Sequence, residues 1–203
     1  MVRTIDQDAR RREIADAVWR LLDRGGLAGA SVRGVAAEAG LSTGSIRHFF
    51  RTQAELREFA LTSLLERVDA RVRRAAGEPD MRRRVLAMLG EFMPLREDTT
   101  RELSIWLEFV HHSRFDDALA AVVRRQAEEM HTFLRHVVEG LRELGHLPPD
   151  VDLDDATAGL TAFVNGVTLG LLTSPHLITR EQAVRLLEAH VFRETPEGKS
   201  DDD

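Results

Sequence analysis

Residues 31–50, SVRGVAAEAGLSTGSIRHFF, predict two short helices joined by a tight turn. Ser31 is a suitable N-cap for the first helix, because its hydroxyl can accept a free backbone N–H. Gly40 tolerates the left-handed conformation that ends a helix sharply, and Ser42 can cap a second helix of about residues 43–50. This layout is a helix-turn-helix, in which the second helix enters the major groove of DNA.

The second helix of this segment has a buried and an outward face. Ile46 and Phe50 are four residues apart and share the buried face. The outward side keeps hydroxyl, small and basic residues that suit phosphates and base edges. Ser31 and Thr52 are expected as caps near phosphates. The DNA contacts expected here are Ser31, Ser42, Thr43, Gly44, Ser45, Arg47, His48 and Thr52. An ordinary two-helix corner in a helical protein is the alternative.

Composition and charge favour a small basic module on an acidic body. The chain has 203 residues, no cysteine and a net charge of −6. Residues 1–60 contain ten arginines against eight acidic residues, so the remainder carries an excess of eight negative charges. The absence of cysteine excludes a disulfide framework and a thiolate metal site. No secretory signal is evident at the N-terminus, so a cytoplasmic protein is expected.

The rest of the chain also predicts helices, about nine in all, and no strands. Three capping boxes are expected, at Thr52–Glu55, Thr99–Glu102 and Thr179–Gln182. The expected helices outside the opening segment cover about residues 8–24, 52–76, 81–93, 99–112, 116–144, 154–173 and 179–192. The expected domains are 1–52 for DNA binding, 53–193 for ligand binding and dimerisation, and a disordered acidic tail, 194–203.

The helix at 154–173 is apolar enough to be weighed as a membrane span. Threonines and an asparagine interrupt it, so a span is not favoured and no membrane partner is expected. Gly166 and Gly170 are one turn apart and permit close approach of another helix. Together with the final helix, at about 180–192, it is expected to form a dimer seam; a core pair within one monomer is the alternative.

The N-terminal pattern resembles the DNA-binding domain of the TetR family of bacterial transcriptional regulators. The matching positions are Ile14, Ala15, Ala17, Gly26, Ser31, Val32, Val35, Ala36, residues 39–42, residues 44–46, Phe50, Glu55 and Leu56. The resemblance implies an all-α homodimer whose first three helices read DNA. The remaining helices would bind an effector and dimerise through the last two.

Two positions depart from the pattern of that family. Many members carry tyrosine where this chain has Arg47 and lysine where it has Gln53. The resemblance makes Gln53 a further DNA-contact candidate, although it lacks the charge. The string at residues 47–50, Arg-His-Phe-Phe, resembles a subgroup related to betaine-pathway regulators.

No other motif indicates catalysis or a metal. His111 and His112 are adjacent and diverge on a helix, while His131 and His136 are five residues apart. Nucleophile, phosphate-loop and dinucleotide motifs are also absent from the sequence. We therefore expect no enzyme, no cofactor and no metal.

The central helices hold the candidate small-molecule site. Its expected apolar lining is Met88, Phe92, Trp106, Phe109 and Phe133, with polar contacts from Glu108, His112 or Asn165. Plain core packing is the alternative for all of these residues.

The sequence as a whole predicts a ligand-responsive repressor. It would act as a homodimer on a pseudo-palindromic double-stranded operator and respond to an unknown small-molecule effector. A transcriptional activator of the same fold remains an alternative. So do a small-molecule carrier or sequestering protein and a helical enzyme without a visible motif.

Overall fold

The computed structural model describes residues 2–192 and confirms the all-α fold. The helices are α1 (Val2–Gly29), α2 (Val32–Glu38), α3 (Thr43–Phe49), α4 (Gln53–Ala75), α5 (Met81–Gly90), α6 (Glu97–His112), α7 (Asp117–Glu143), α8 (Leu153–Thr173) and α9 (Arg180–Val191). A 3₁₀ turn, Ser113–Phe115, joins α6 to α7, and residues 2–192 contain no strand. The expected acidic tail at 194–203 lies outside the described residues.

The described chain forms two compact units. Unit 1 holds the residues up to Arg71 together with Thr100–Arg125, and unit 2 holds Val72–Thr99 together with the residues from Gln126 onward. Helices α4, α6 and α7 each contribute to both units. Unit 1 therefore extends beyond residue 52, where we expect the DNA-binding domain to end.

The core of unit 1 holds the helix-turn-helix against the first and fourth helices. Val35 and Ala36 of α2 and Ile46 of α3 are buried in one cluster. The cluster also takes Ile14, Ala17, Val18 and Leu22 from α1 and Leu56, Ala60, Leu61 and Leu64 from α4. Phe50, at the end of α3, packs on Phe59 of α4 with 4.8 Å between ring centroids. Helix α3 is thus held against the core by the face that carries Ile46 and Phe50, as the sequence predicts.

Unit 2 has its own core, built from α5, the second half of α7, α8 and α9. Its fully buried side chains include Leu89, Met93, Leu134 and Leu187. Arg135 of α7 pairs with Asp154 in the first turn of α8. The expected capping box opens α9, because the Thr179 hydroxyl accepts the Gln182 N–H and the Gln182 amide oxygen accepts the Thr179 N–H.

Two expectations about helix ends are corrected. The first helix begins at Val2 rather than near residue 8, and a turn resumes after the expected break at Gly25 and Gly26. The capping box predicted at Thr99–Glu102 is not formed, since α6 already begins at Glu97.

The side chains of Thr99 and Glu102, which do not form the predicted capping box, have other partners. The Thr99 hydroxyl accepts the Arg96 N–H, and Glu102 pairs with Arg71 of α4 through both carboxylate oxygens. The pattern of residue types is therefore present, but a long-range ion pair takes the glutamate that the box requires.

Candidate nucleic-acid interface

The turn between α2 and α3 is a Schellman motif centred on Gly40. The Leu41 N–H donates to the Ala36 carbonyl at 2.8 Å, and the Gly40 N–H donates to the Ala37 carbonyl at 3.3 Å. Gly40 has φ +65°, which an L side chain rarely adopts. The glycine is therefore required by the turn, and it fixes the angle at which α3 leaves α2.

Both predicted serine caps are formed. The Ser31 hydroxyl accepts the Gly34 N–H at 3.0 Å, and the Ser42 hydroxyl accepts the Ser45 N–H at 3.0 Å. The hydroxyls of Ser42 and Ser45 are also 2.9 Å apart. Thr52 accepts the Glu55 N–H at 3.1 Å and so caps α4. The Glu55 carboxylate reaches back to the Arg51 N–H, so only half of the expected capping box at Thr52 is present.

The outward face of α3 is exposed and carries no acid. Ile46 is its only buried residue, whereas Thr43, Gly44, Ser45, Arg47 and His48 are exposed. Ser42 and Thr52, on either side of α3, are exposed as well.

Charge on this segment favours an anionic partner. Between Glu38 and Glu55 the sequence holds two arginines and no acidic residue. Among the side chains that the structure describes, at residues 9–27 and 29–192, none forms an ion pair or hydrogen bond with the Arg47 guanidinium. A polar, cationic and uncovered face on a firmly packed helix is suited to contact with a phosphate backbone and base edges.

A cluster of ion pairs connects α2 to α1. Arg20 donates from Nε to Glu38 Oε1 at 2.5 Å, and Arg24 donates to the other oxygen of the same carboxylate. The hydrogen bonds from Arg20 and then Arg24 hold the pKa of Glu38 below its usual value. Glu38 therefore stays ionised, and the two arginines compensate its negative charge. This compensation would reduce its repulsion of an anionic partner such as DNA.

Gln53 joins the start of α4 to the loop before α2. Its amide oxygen accepts the Val32 N–H at 3.2 Å, and its amide nitrogen donates to the Ala30 carbonyl at 2.6 Å. A lysine at this position would keep only a donor. The departure from the family pattern at Gln53 thus gives the helix-turn-helix an additional internal connection.

A carboxylate of α6 lies over the break in α1. Glu108 accepts the Leu27 N–H at 2.6 Å, and Gly26 has φ +58°. A Cβ added to Gly26 would lie 2.5 Å from Glu108 Oε1. The glycine therefore provides both the backbone conformation and the space for this carboxylate.

Of the eight residues expected to bind a ligand, Glu108 has the contact with Leu27 described above, and the other seven are divided between the units. Trp106, Phe109 and His112 belong to unit 1, where Phe109 is fully buried, Trp106 packs against the core and His112 is exposed. The other four belong to unit 2: Met88, Phe92, Phe133 and Asn165.

Within unit 2, two of these residues are in direct contact. Phe92 and Phe133 are half-buried and have ring centroids 5.4 Å apart. The Thr168 hydroxyl donates to the Phe92 carbonyl at 2.9 Å. Met88 is half-buried, whereas Asn165 is exposed on α8. Among the described residues, no group of three or more histidines and acids is placed to hold a metal ion.

The sequence does not reveal several residues that build this interface. Gly34 is one, since an added Cβ would lie 2.9 Å from the Gly29 carbonyl oxygen, where α2 crosses the end of α1. Glu38 is another, because its arginine partners are 14 and 18 residues away along the chain. Glu108 is expected from the sequence only as a ligand contact, and its bond to Leu27, 81 residues away, is not predicted. The one available signal is that Glu38 is the only acid in α2.

The chain matches two family descriptions and relatives along nearly its whole length. Residues 14–58 match the tetR family of bacterial regulatory proteins, and residues 81–196 match the C-terminal part of BetI-type transcriptional repressors. The HTH-type transcriptional regulator PksA of Bacillus subtilis (strain 168) is 32% identical over 192 residues, covering 94% of this chain and 92% of that protein.

Solved structures show the same fold. A transcriptional regulator from Rhodococcus sp. Rha1 is 30% identical, covers 89% of this chain and 93% of its own, and superimposes with a TM-score of 0.73. A regulator from Saccharomonospora viridis in complex with choline is 21% identical, covers 91% and 94%, and has a TM-score of 0.74. TetR regulators bind DNA operators and small-molecule effectors, act as dimers and are not enzymes. The chain therefore belongs to the TetR family of transcriptional regulators, with a BetI-type C-terminal region.

Proposed function

We propose that α3 is the recognition helix of an operator-binding repressor. The observation that carries this is the exposed, acid-free face of α3 on a buried Ile46 anchor. Arg47, Thr43 and His48 would contact the operator, with Ser31, Ser42, Gly44, Ser45, Thr52 and Gln53 nearest its phosphates. Repression fits the BetI-type description of the C-terminal region. A protein that binds an operator would act in the cytoplasm.

We also propose that α8 and α9 form the homodimer seam. Of the exposed large apolar side chains, four lie in these helices or their connection: Leu169, Leu177, Val184 and Leu186. By length and composition α8 is apolar enough for a membrane span, yet only 22% of its most apolar window is buried. A second copy covering this face explains the exposure, and two recognition helices would then lie in successive major grooves.

For the effector, we propose a site in unit 2 that includes Met88, Phe92 and Phe133. The two adjacent, half-buried phenylalanine rings support this, since aromatic faces on one side of a site suit an apolar or cationic small molecule. Choline, bound by the Saccharomonospora regulator, is the first probe, and calorimetric titration should show binding that Phe133→Ala weakens and Phe115→Ala does not. Contacts of Trp106, Phe109, His112 and Asn165 with the effector stay a prediction from the sequence.

The decisive experiment compares operator binding by the wild type and Arg47→Ala. The probe is the promoter region upstream of the protein's own coding sequence, measured by fluorescence anisotropy at two salt concentrations. We expect salt-sensitive binding that Arg47→Ala weakens at least tenfold while dimerisation is unchanged. Arg124→Ala, which removes an exposed arginine of α7, is the matched control and should bind like the wild type.

The carrier or sequestering function would be favoured if the protein binds choline but shows no salt-sensitive binding to the promoter fragment, with or without choline. Activation in place of repression would leave the binding data unchanged and appear only as a rise in promoter activity when the regulator is present.

A further inference from the structure

Glu108 of α6 caps the last turn of α1, which follows the break at Gly25 and Gly26. These two glycines have non-helical backbone angles, so the Leu27 N–H cannot continue the hydrogen-bond ladder of α1. The Glu108 carboxylate accepts this N–H at 2.6 Å. A charged acceptor is well suited to a free N–H at the start of a helical turn. The turn at residues 27–29 is therefore capped by a side chain 81 positions away.

Hydrogen bonds connect the capped turn to α2 and α4. The Leu27 carbonyl accepts the Ala30 N–H at 3.3 Å, and the Ala30 carbonyl accepts the Gln53 amide at 2.6 Å. The Gln53 amide oxygen in turn accepts the N–H of Val32, the first residue of α2. A shift of residues 27–30 would therefore move the start of α2 as well.

Packing also prevents α2 from moving independently of the end of α1. A Cβ added to Gly34 of α2 would lie 2.9 Å from the Gly29 carbonyl oxygen, so the two backbones are already in close contact. The Leu27 side chain is buried in the same core cluster as Ile46 of α3. Helix α3 follows α2 through the turn at Gly40, whose geometry is fixed. The position of residue 27 on α6 thus determines how α2 and α3 are oriented relative to α6.

We propose that Glu108 is a positioning residue for operator binding: its bond to Leu27 fixes the angle at which α2 and α3 project from α6. This inference rests on the operator-binding homodimer proposed above. A dimer that binds two half-sites at once needs both α3 helices in the correct orientation, whereas a single half-site needs only the contacts of one α3 helix. Loss of the bond should therefore weaken binding to the full operator and leave half-site binding intact.

The negative charge of Glu108 distinguishes positioning from simple electrostatics. Removal of a carboxylate from a DNA-binding protein should strengthen DNA binding if charge is all that changes. Glu108→Ala removes both the charge and the bond to Leu27. Glu108→Gln removes the charge but keeps an amide oxygen that can accept the same N–H. Positioning therefore predicts weaker operator binding for the alanine variant, and equal or tighter binding for the glutamine variant.

The test measures fluorescence anisotropy of the full-length protein with three DNA probes from its own promoter region. The probes are the full operator, one half-site, and the full operator with two base pairs inserted between the half-sites. We expect Glu108→Ala to weaken full-operator binding at least fivefold, to leave half-site binding within twofold, and to reduce the loss of affinity that the insertion causes. Glu108→Gln should bind the full operator at least as tightly as the wild type.

Glu129→Ala is the matched control, because it removes one exposed carboxylate of α7 and should not weaken binding to any probe. Circular dichroism should show all variants folded. Full-operator binding by Glu108→Ala that equals or exceeds that of the wild type overturns the inference. Equal weakening on the full and half-site probes, or equal weakening by Glu108→Gln, overturns it as well. A wild type without salt-sensitive binding to the full operator instead overturns the proposed function.

Discussion

Gly44 is a residue whose identity the fold of the chain does not explain. It lies in the first turn of α3, and an added Cβ would meet only Ser42 Oγ, at an ordinary contact distance of 3.6 Å. Gly40 differs, since its positive φ requires glycine. An exposed glycine that the chain does not require, on a face proposed to meet DNA, indicates close approach of the DNA backbone.

We therefore expect opposite effects of Gly44→Ala on stability and on binding. Alanine should stabilise α3 by up to about 1 kcal/mol, and the added methyl should weaken operator binding at least tenfold. Thermal unfolding and fluorescence anisotropy measure the two effects. Gly140→Ala in α7, where an added Cβ has equally free space, should raise stability without changing binding. Unchanged operator affinity of Gly44→Ala would show that DNA does not approach this position.

At this scale, the sequence predicts residues with local roles and misses those with distant partners. Ser31, Ser42 and Gly40 act on backbone groups within five residues, so their types and spacing predict their roles. Gln53 bonds to residues 21 and 23 positions earlier, which no local pattern reveals. From the sequence Asn165 is expected to contact a ligand, and in the single chain it is exposed on α8. Its contact with a ligand stays a prediction.

At the scale of elements, α2 is held on α1 by packing and by the cluster of Glu38 with Arg20 and Arg24. The pKa of Glu38 is lowered from its usual value of 4.5 by these hydrogen bonds, Arg20 first. A carboxyl whose pKa is lower in the folded state stabilises the fold above its unfolded pKa. That contribution is lost as the pH falls through the folded pKa.

We expect Glu38→Gln to unfold more easily than the wild type at pH 7. The difference in unfolding midpoint should persist down to about pH 4.5 and shrink below it, because the unfolded chain then takes up a proton at Glu38 and, at still lower pH, the folded carboxylate does so as well. Chemical denaturation at pH 7, 5 and 3.5 measures this. Glu58→Gln, at an exposed α4 residue with no ion pair among the described residues, is the control. A constant difference across this range would show that Glu38 acts through packing and not charge.

Helix bounds follow closely from sequence where a cap is local, and less closely elsewhere. The α9 box at Thr179 is present as predicted, and α2, α3 and α8 begin within a residue of their expected starts. The box at Thr99 is not formed, because α6 begins two residues earlier, at Glu97, and Glu102 pairs with Arg71, 31 residues away. Local patterns are therefore reliable only while no distant charge competes for the capping side chain.

At the scale of the whole molecule, the segment between Glu38 and Glu55, which contains α3, is cationic, whereas the protein as a whole is anionic. The net charge of −6 gives little general attraction to DNA, so binding depends on a few arginines at the interface. In a homodimer every such arginine acts twice, once in each half-site. The number of ions released on binding therefore reports how many α3 helices of the dimer contact DNA.

We expect this doubling to appear in the salt dependence of operator binding. The logarithm of the binding constant falls with the logarithm of salt concentration by about 0.9 for each phosphate contact. If Arg47 contacts one phosphate in each half-site, Arg47→Ala should reduce that slope by about 1.8. A half-site probe should show a reduction of about half that size, and Arg124→Ala should show none. An unchanged slope with weaker binding would contradict a phosphate contact by Arg47, and equal reductions on full-site and half-site probes would contradict binding by two readers of one dimer.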